Sequence, residues 1–265
     1  MRFQKVLITG GSKGIGLSLI KLLQKQAYEV HAVSRSIPDG PFSQNIHFHR
    51  CDLSSVSASE SFVDNFIETN GVPDLLINNA GSGAFFDWAN FPMEAIDNQI
   101  NLLFVVPVLF CRKISPLMTD IGSGTILNLS SLATLFPLPY MPMYNAGKSA
   151  LSSFTQSMIL EFKDNPTFID FRMGDVKTDF NNSSAKQNKN KWSEPMRRAW
   201  CQIEKQLINS PSSEEAARQI MTVLERGSAG LFYGGGWFHS RIAPFLHKFV
   251  SINTLNKTLH RYYDL

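Results

Sequence analysis

Ser131, Tyr144 and Lys148 have types and spacing suited to proton transfer. Tyr144 and Lys148 stand four residues apart, so on a helix they share one face, with the cation one turn from the phenol. A tyrosine in water titrates near about 10, too high for easy proton exchange at neutral pH; a neighbouring ammonium favours the phenolate and lowers that value. The expectation is a Tyr144 drawn down by Lys148 and acting as a general acid/base. The same spacing also occurs in plain surface pairs, so its meaning rests on what the chain places around it.

The chain supplies positioning elements in a regular order. Lys5 to Thr9 reads as a strand and runs into Gly10-Gly11-Ser12-Lys13-Gly14-Ile15-Gly16, followed by helical spacing at Leu17, Ile20, Leu22 and Leu23. A strand, a glycine turn and a helix let backbone approach a pyrophosphate and set a helix N-terminus against its charge; a tight turn without ligand is the bland alternative. Glu29 to Ser34 reads as the second strand, with Arg35 at its end. An acidic residue there suits the ribose of NAD, whereas an arginine suits the 2′-phosphate of NADP. With Lys13, Ser34 and Ser36 nearby, NADP(H) is expected over NAD(H), against the alternative of a solvated strand-end arginine.

Ile46 to Cys51 supplies a third strand, closed by Asp52-Leu53, where a loop could cover adenine. His47 and His49 project to one side of it with no third ligand near, so they read as edge histidines and no metal is expected. Asp74 to Ile77 reads as a buried strand ending in Asn78-Asn79-Ala80-Gly81, either a crevice wall or a turn. Met93 to Cys111 is a long apolar helix interrupted by Asn101, whose buried amide must find partners and, taken alone, suits a backbone bond. Pro107 predicts a kink near residues 103 to 107. Thr125 to Leu129 is the fifth strand, ending in Ser130 and Ser131, and a proline-rich loop leads to the helix of Tyr144. Phe168 to Met173 is the sixth, followed by Gly174, Val176 and Thr178, and Gly230 to Tyr233 is the last. Alternating strands and helices imply one α/β domain with ligands at the carboxyl ends of a parallel sheet.

A chain of 265 residues, 43% hydrophobic and 18% charged, can bury a full core. The net charge of +3 is mild and its cations are scattered, which gives a nucleic-acid role no support. Cys51, Cys111 and Cys201 read as buried thiols of a reducing compartment. Met1 leads straight into a strand without a signal peptide, and no stretch reaches the roughly 20 apolar residues of a membrane span, so a cytoplasmic protein is expected. Asn181 to Trp192 is polar and aperiodic, a lid or a flexible surface loop, and Glu194 to Ile208 is helical. From Arg241 to Leu265, apolar residues recur at roughly helical spacing among Arg241, Lys248, Lys257 and Arg261. Such a tail could lie on an anionic membrane, cover the substrate pocket or meet a neighbouring subunit.

Together these residues resemble the short-chain dehydrogenase/reductase family over about residues 4 to 180. Thr9 to Gly16 matches its TGxxxGxG loop, Asn78 to Gly81 its NNAG turn, and Tyr144 to Lys148 its YxxxK centre. Ser131 lies thirteen positions before Tyr144, as the family's serine does, and Asn101 takes the place of its helix-borne asparagine. The resemblance implies a Rossmann-like doubly wound parallel sheet of about seven strands with helices on both faces. Residues 1–240 would form this single domain, with a lid at about 180–210, and 241–265 the amphipathic tail.

It further implies hydride transfer between a nicotinamide cofactor and a carbonyl or alcohol, without a metal. Tyr144 would move the proton, Lys148 would tune it and hold the ribose, Ser131 would bond the substrate oxygen, and Asn101 would anchor a water leading from Lys148. Gly10, Ser12, Lys13, Gly14, Ile15, Gly16, Ser34, Arg35, Ser36, Asp52, Leu53, Asn79, Ala80, Gly81, Gly174, Val176 and Thr178 would bind the cofactor with Tyr144 and Lys148. Met173-Gly174 departs from the family's Pro-Gly. A reductase of a carbonyl compound, with an apolar or acyl substrate as a sub-reading, is the leading expectation; a non-catalytic NADP(H)-sensing protein is the rival. A homodimer or homotetramer is expected.

Overall fold

The computed structural model describes residues 3–265; Met1, the start of the sequence reading, lies outside them. Its first half runs β1 (Lys5–Thr9), α1 (Gly14–Lys25), β2 (Glu29–Ser34), β3 (Ile46–Arg50), α2 (Val56–Asn70), β4 (Leu75–Asn78), β5 (Ala84–Phe85), α3 (Met93–Ile100) and α4 (Val106–Ile121). Its second half runs β6 (Thr125–Ser131), α5 (Pro142–Glu161), β7 (Thr167–Met173), α6 (Phe180–Ser183), β8 (Ala185–Lys186), α7 (Glu194–Ile208), α8 (Ser213–Arg226), β9 (Gly230–Gly234), α9 (Ala243–His247) and α10 (Ile252–Tyr262).

Seven strands form one parallel sheet in the order β3-β2-β1-β4-β6-β7-β9. The chain winds outward from β1 to β3, then crosses back to β4 and winds the other way, which opens a crevice at the carboxyl ends of β1 and β4. Period-two alternation explains the layers. Val6 and Ile8 of β1 face the helices α1 and α8, packing with Leu19, Ile20, Ile220 and Leu224. Leu7 faces the other way, into a layer with Phe66 of α2, Phe110 and Ile114 of α4, and Phe168 of β7. Each of these fully buried aromatic side chains contributes roughly 1.5–3 kcal/mol through its removal from water. Helix α8 begins at a reciprocal cap, Ser212 accepting from the Glu215 N–H while the Glu215 carboxylate accepts from the Ser212 N–H.

The kink expected near Pro107 is a π-helical turn at Asn101–Val105, in which the Val106 N–H donates to the Asn101 carbonyl. Proline contributes no N–H, and the widened turn is how the continuous run from α3 into α4 accommodates it. That run, Met93–Ile121, corrects the expectation about membrane spans: its 29 residues, with an 18-residue window at mean hydropathy 1.6, are long and apolar enough to cross one by length and composition. Here the run covers the sheet, and Val106, Phe110, Cys111, Ile114 and Met118 are buried in the core.

Two features were absent from the sequence reading. Strands β5 and β8 form a separate two-stranded parallel pair, with Ala185 N–H donating to Gly83 O at 3.0 Å and Gln187 N–H to Phe85 O at 3.1 Å. They tie the polar segment after Asn181 to the body of the molecule. The tail is also not one helix: α9 ends at His247, and Ser251 caps a new helix, α10, by accepting from the Thr254 N–H. Cys51, Cys111 and Cys201 are free thiols; Cys111 is buried, but Cys201 lies on the exposed side of α7, against the expectation of burial.

Candidate active site

The glycine turn after β1 is held by the turn after β4. Asn79 Nδ2 donates to the carbonyls of Thr9 (2.9 Å) and Gly10 (3.0 Å), and the Thr9 hydroxyl oxygen accepts from the N–H groups of Asn79 and Ala80, both at 3.0 Å. Gly10 has φ +75, a left-handed backbone that disfavours a side chain, and a Cβ on Gly16 would stand 2.1 Å from the Gly10 carbonyl oxygen. The glycines let the turn fold over the first turn of α1. That turn has no acidic residue, and Lys13 at its N-cap makes no side-chain capping bond, so its N–H groups suit a phosphate.

Ser131 ends β6, and Tyr144 and Lys148 follow on α5. Ser131 Oγ accepts from the Ala133 N–H at 3.1 Å and shares a hydrogen bond with the Tyr144 phenol. Lys148 is buried and donates from Nζ to the Leu129 carbonyl at 2.5 Å. Burial lowers its pKa to about 8, opposed by the Asp170 carboxylate. Asp170 is itself fully buried, accepting from Ser130, from Ser152 at 2.5 Å and from Gln156 at 3.1 Å, with Arg172 Nε at 3.5 Å. A satisfied carboxylate thus lies beside β6 and α5.

Tyr144 departs from the expectation: its pKa is raised above the ordinary value. Burial is the main cause; the Ser131 hydrogen bond lowers it, and the Asp175 carboxylate adds to the rise. The Lys148 ammonium donates to the Leu129 carbonyl, and the phenol, raised above its ordinary value by burial, stays protonated at neutral pH.

Every residue expected to bind cofactor, from Gly10 to Thr178, lines one cavity of about 690 Å³ together with Ser131, Tyr144 and Lys148. The glycine turn, Arg35 and Asp52 thus share one cavity with the Ser131–Tyr144 pair. Asp52 is held below the usual carboxylate range, mainly by the Ser54 N–H, with Arg35 contributing. The residues present therefore fit a nicotinamide dinucleotide. Asn101 stands apart: it is not among the lining residues, and its Nδ2 donates to the Ser54 carbonyl at 3.1 Å, a backbone partner of the kind its isolated reading suggested.

A short chain dehydrogenase family model matches residues 4–189. The chain belongs to the short-chain dehydrogenases. It is 33% identical over 166 residues to an uncharacterized oxidoreductase of Schizosaccharomyces pombe, covering 62% of this chain and 56% of that protein. It is 32% identical over 164 residues to a 3-ketodihydrosphingosine reductase of Bacteroides thetaiotaomicron, covering 61% and 59%. The matched stretch thus spans less than two thirds of either relative. A short-chain dehydrogenase from Streptomyces avermitilis superposes with a TM-score of 0.76 at 18% identity, covering 98% of this chain and 97% of that one. Another, from Sphingobium yanoikuyae and in complex with NADPH, gives 0.69 at 17%, covering 87% of both chains. A 4-hydroxyisoleucine dehydrogenase complexed with NADH gives 0.69 at 21%, covering 88% and 98%.

In this short-chain dehydrogenase the cavity is also walled by apolar residues, of which the sequence reading had pointed to Leu138 and, as one alternative for the tail, to a cover over the pocket. Leu138, Met141, Ile203, Leu255, Leu259 and Tyr263 line it, and Tyr144 packs in one cluster with Phe85, Trp200, Leu259 and Tyr263. Asp175 and His239 also line it; burial raises the Asp175 pKa, while His239 opposes the rise. Asn181 Nδ2 and Gln206 Oε1 are buried without a hydrogen-bond partner among the described residues, and both residues line the cavity. Nothing in the periodicity of the tail distinguished its pocket-facing residues; only the position of Asp175 at a strand's carboxyl end pointed here. Away from the cavity, the β2–β3 register sets His31 opposite His47, and Glu29, His31 and His47 bring ligand-type atoms within 4.8 Å. This corrects the expectation that no third group lies near the paired histidines: alternate residues of adjacent strands share a face. His31 joins Glu29 at 2.9 Å and His49 at 3.0 Å.

Proposed function

We propose that this chain is an NADP(H)-dependent reductase of an apolar carbonyl compound. The observation that carries the reading is that Ser131, Lys148 and the half-buried Tyr144 line the same cavity as the glycine turn and Arg35. The bound cofactor would supply the hydride. Ser131, whose oxygen accepts from Ala133, would turn its hydroxyl proton from Tyr144 to the carbonyl oxygen of a bound substrate, and Tyr144 would give that oxygen a proton. Lys148, charged below its pKa of about 8, would stabilise the phenolate left behind. Arg35 with Lys13 favours the 2′-phosphate of NADP, and NADP use favours the reductive direction. The apolar wall of Leu138, Ile203, Leu255 and Leu259 favours a hydrocarbon-bearing substrate, with Asn181 and Gln206 open to one further polar group. Relatives named as 3-ketodihydrosphingosine reductase and ketoacyl reductase fit the same substrate class.

The test follows NADPH oxidation with a panel of short and long-chain ketones. Turnover is expected on apolar ketones, falling by at least about 100-fold in Tyr144→Phe. In the same assay Arg35→Asp should weaken NADPH at least about tenfold, the scale of one charge-assisted contact. Tight NADPH binding with no turnover on any ketone would favour the non-catalytic sensor instead.

A further inference from the structure

Residues 237–252 contain seven of the fourteen exposed large hydrophobic residues among those described. Trp237 is 69% exposed, Phe245 59%, Phe249 74% and Ile252 63%. Isolated exposed apolar residues are ordinary, but a contiguous concentration marks an interaction surface. The segment is not loose: Ala243 and Pro244 are buried, Phe136 packs edge-on against His247, and the rings of Phe245 and Phe249 lie 5.2 Å apart. One side is therefore anchored to the protein, and the other is presented outward.

The charge around this face selects its partner. No aspartate or glutamate occurs between Glu225 and Asp264, whereas Arg226, Arg241, Lys248, Lys257 and Arg261 do. Arg241, Lys248 and Lys257 are exposed. Aromatic and aliphatic side chains flanked by cations suit the boundary between acyl chains and anionic headgroups. We infer that the face formed by residues 237–252 docks this protein on an anionic lipid bilayer. Ala243 and Leu255, borne by the same helical elements, line the catalytic cavity, so docking sets the cavity beside the lipid. The docking does not depend on the proposed reaction, although delivery of an apolar substrate from the bilayer would.

The experiment is flotation of the full chain with vesicles of phosphatidylcholine alone or with 30% phosphatidylserine, alongside analytical ultracentrifugation. Binding is expected to the phosphatidylserine vesicles, to weaken with added salt, and to fall at least tenfold in Phe245→Asp/Phe249→Asp. NADPH binding by that variant should be unchanged, which shows that it remains folded. Absence of binding by the intact chain, or binding that survives the double substitution, overturns the inference. An oligomer that the double substitution dissociates also overturns it, because the face would then belong to a second copy of the chain.

Discussion

Lys148 holds a cation in a buried site where its ammonium donates to the Leu129 carbonyl, with Asp170 acting at longer range. Its folded pKa of about 8 lies below the ordinary 10.5. Between those values the unfolded chain holds a proton that the folded chain lacks, so stability rises with pH across that window. Below it the folded state carries the full cost of the buried charge. Lys148→Met is therefore expected to stabilise the protein at pH 7 by about 1–3 kcal/mol while abolishing turnover, a gain that shrinks as pH rises from about 8 toward 10.5. Denaturant titrations at pH 7 and pH 9.5 measure it, and an equal gain at both would refute the origin assigned here. That Tyr144 and Lys148 lie on one helix and line one cavity was legible from spacing. The direction of the Tyr144 shift was not, because burial outweighs a neighbour and burial is set by Phe85, Phe180 and the distant tail.

At the scale of elements, all seven main-sheet strands begin within one residue of their expected positions, five of them at the expected residue itself, because buried parallel strands read as apolar runs closed by small residues. The β5–β8 pair had no such signal: two residues have no period, and each partner lies 101 positions away. The glycine turn was legible as a motif, but its brace was not; Asn79 was read as a cofactor contact, and its amide holds the Thr9 and Gly10 carbonyls. Gly16→Ala follows from that packing. The new methyl group would stand 2.1 Å from the Gly10 carbonyl oxygen and 2.6 Å from Asn79 Nδ2, so backbone must move. A loss of about 1–3 kcal/mol in stability and at least about tenfold in NADPH affinity is expected, read by thermal melts with and without cofactor. Unchanged affinity would show that the turn does not meet the phosphates.

At the scale of the molecule, the carboxyl-terminal helix completes the site. Arg198 Nε donates to the Asp264 carbonyl at 2.7 Å, Gln202 to the Tyr262 carbonyl at 3.0 Å and Gln206 to the Tyr262 hydroxyl at 2.8 Å, which fastens α10 along α7. Deleting residues 251–265 removes Leu255, Leu259 and Tyr263 from the cavity wall while leaving the glycine turn and Arg35 intact. KM for an apolar ketone should rise at least about tenfold with the NADPH dissociation constant little changed, since several buried side chains are lost from the substrate end alone. A parallel loss of NADPH affinity would mean that the tail supports the whole fold. The order of strands, the glycine turn and the Ser131, Tyr144 and Lys148 set were determined by the sequence itself, because they depend on local periodicity and short spacings. Which half of the basic amphipathic tail closes the cavity and which half faces outward was decided only by the tertiary structure: the break at Ser251 turns Leu255 and Tyr263 inward and leaves Phe245 and Phe249 exposed, an orientation that helical spacing alone does not encode.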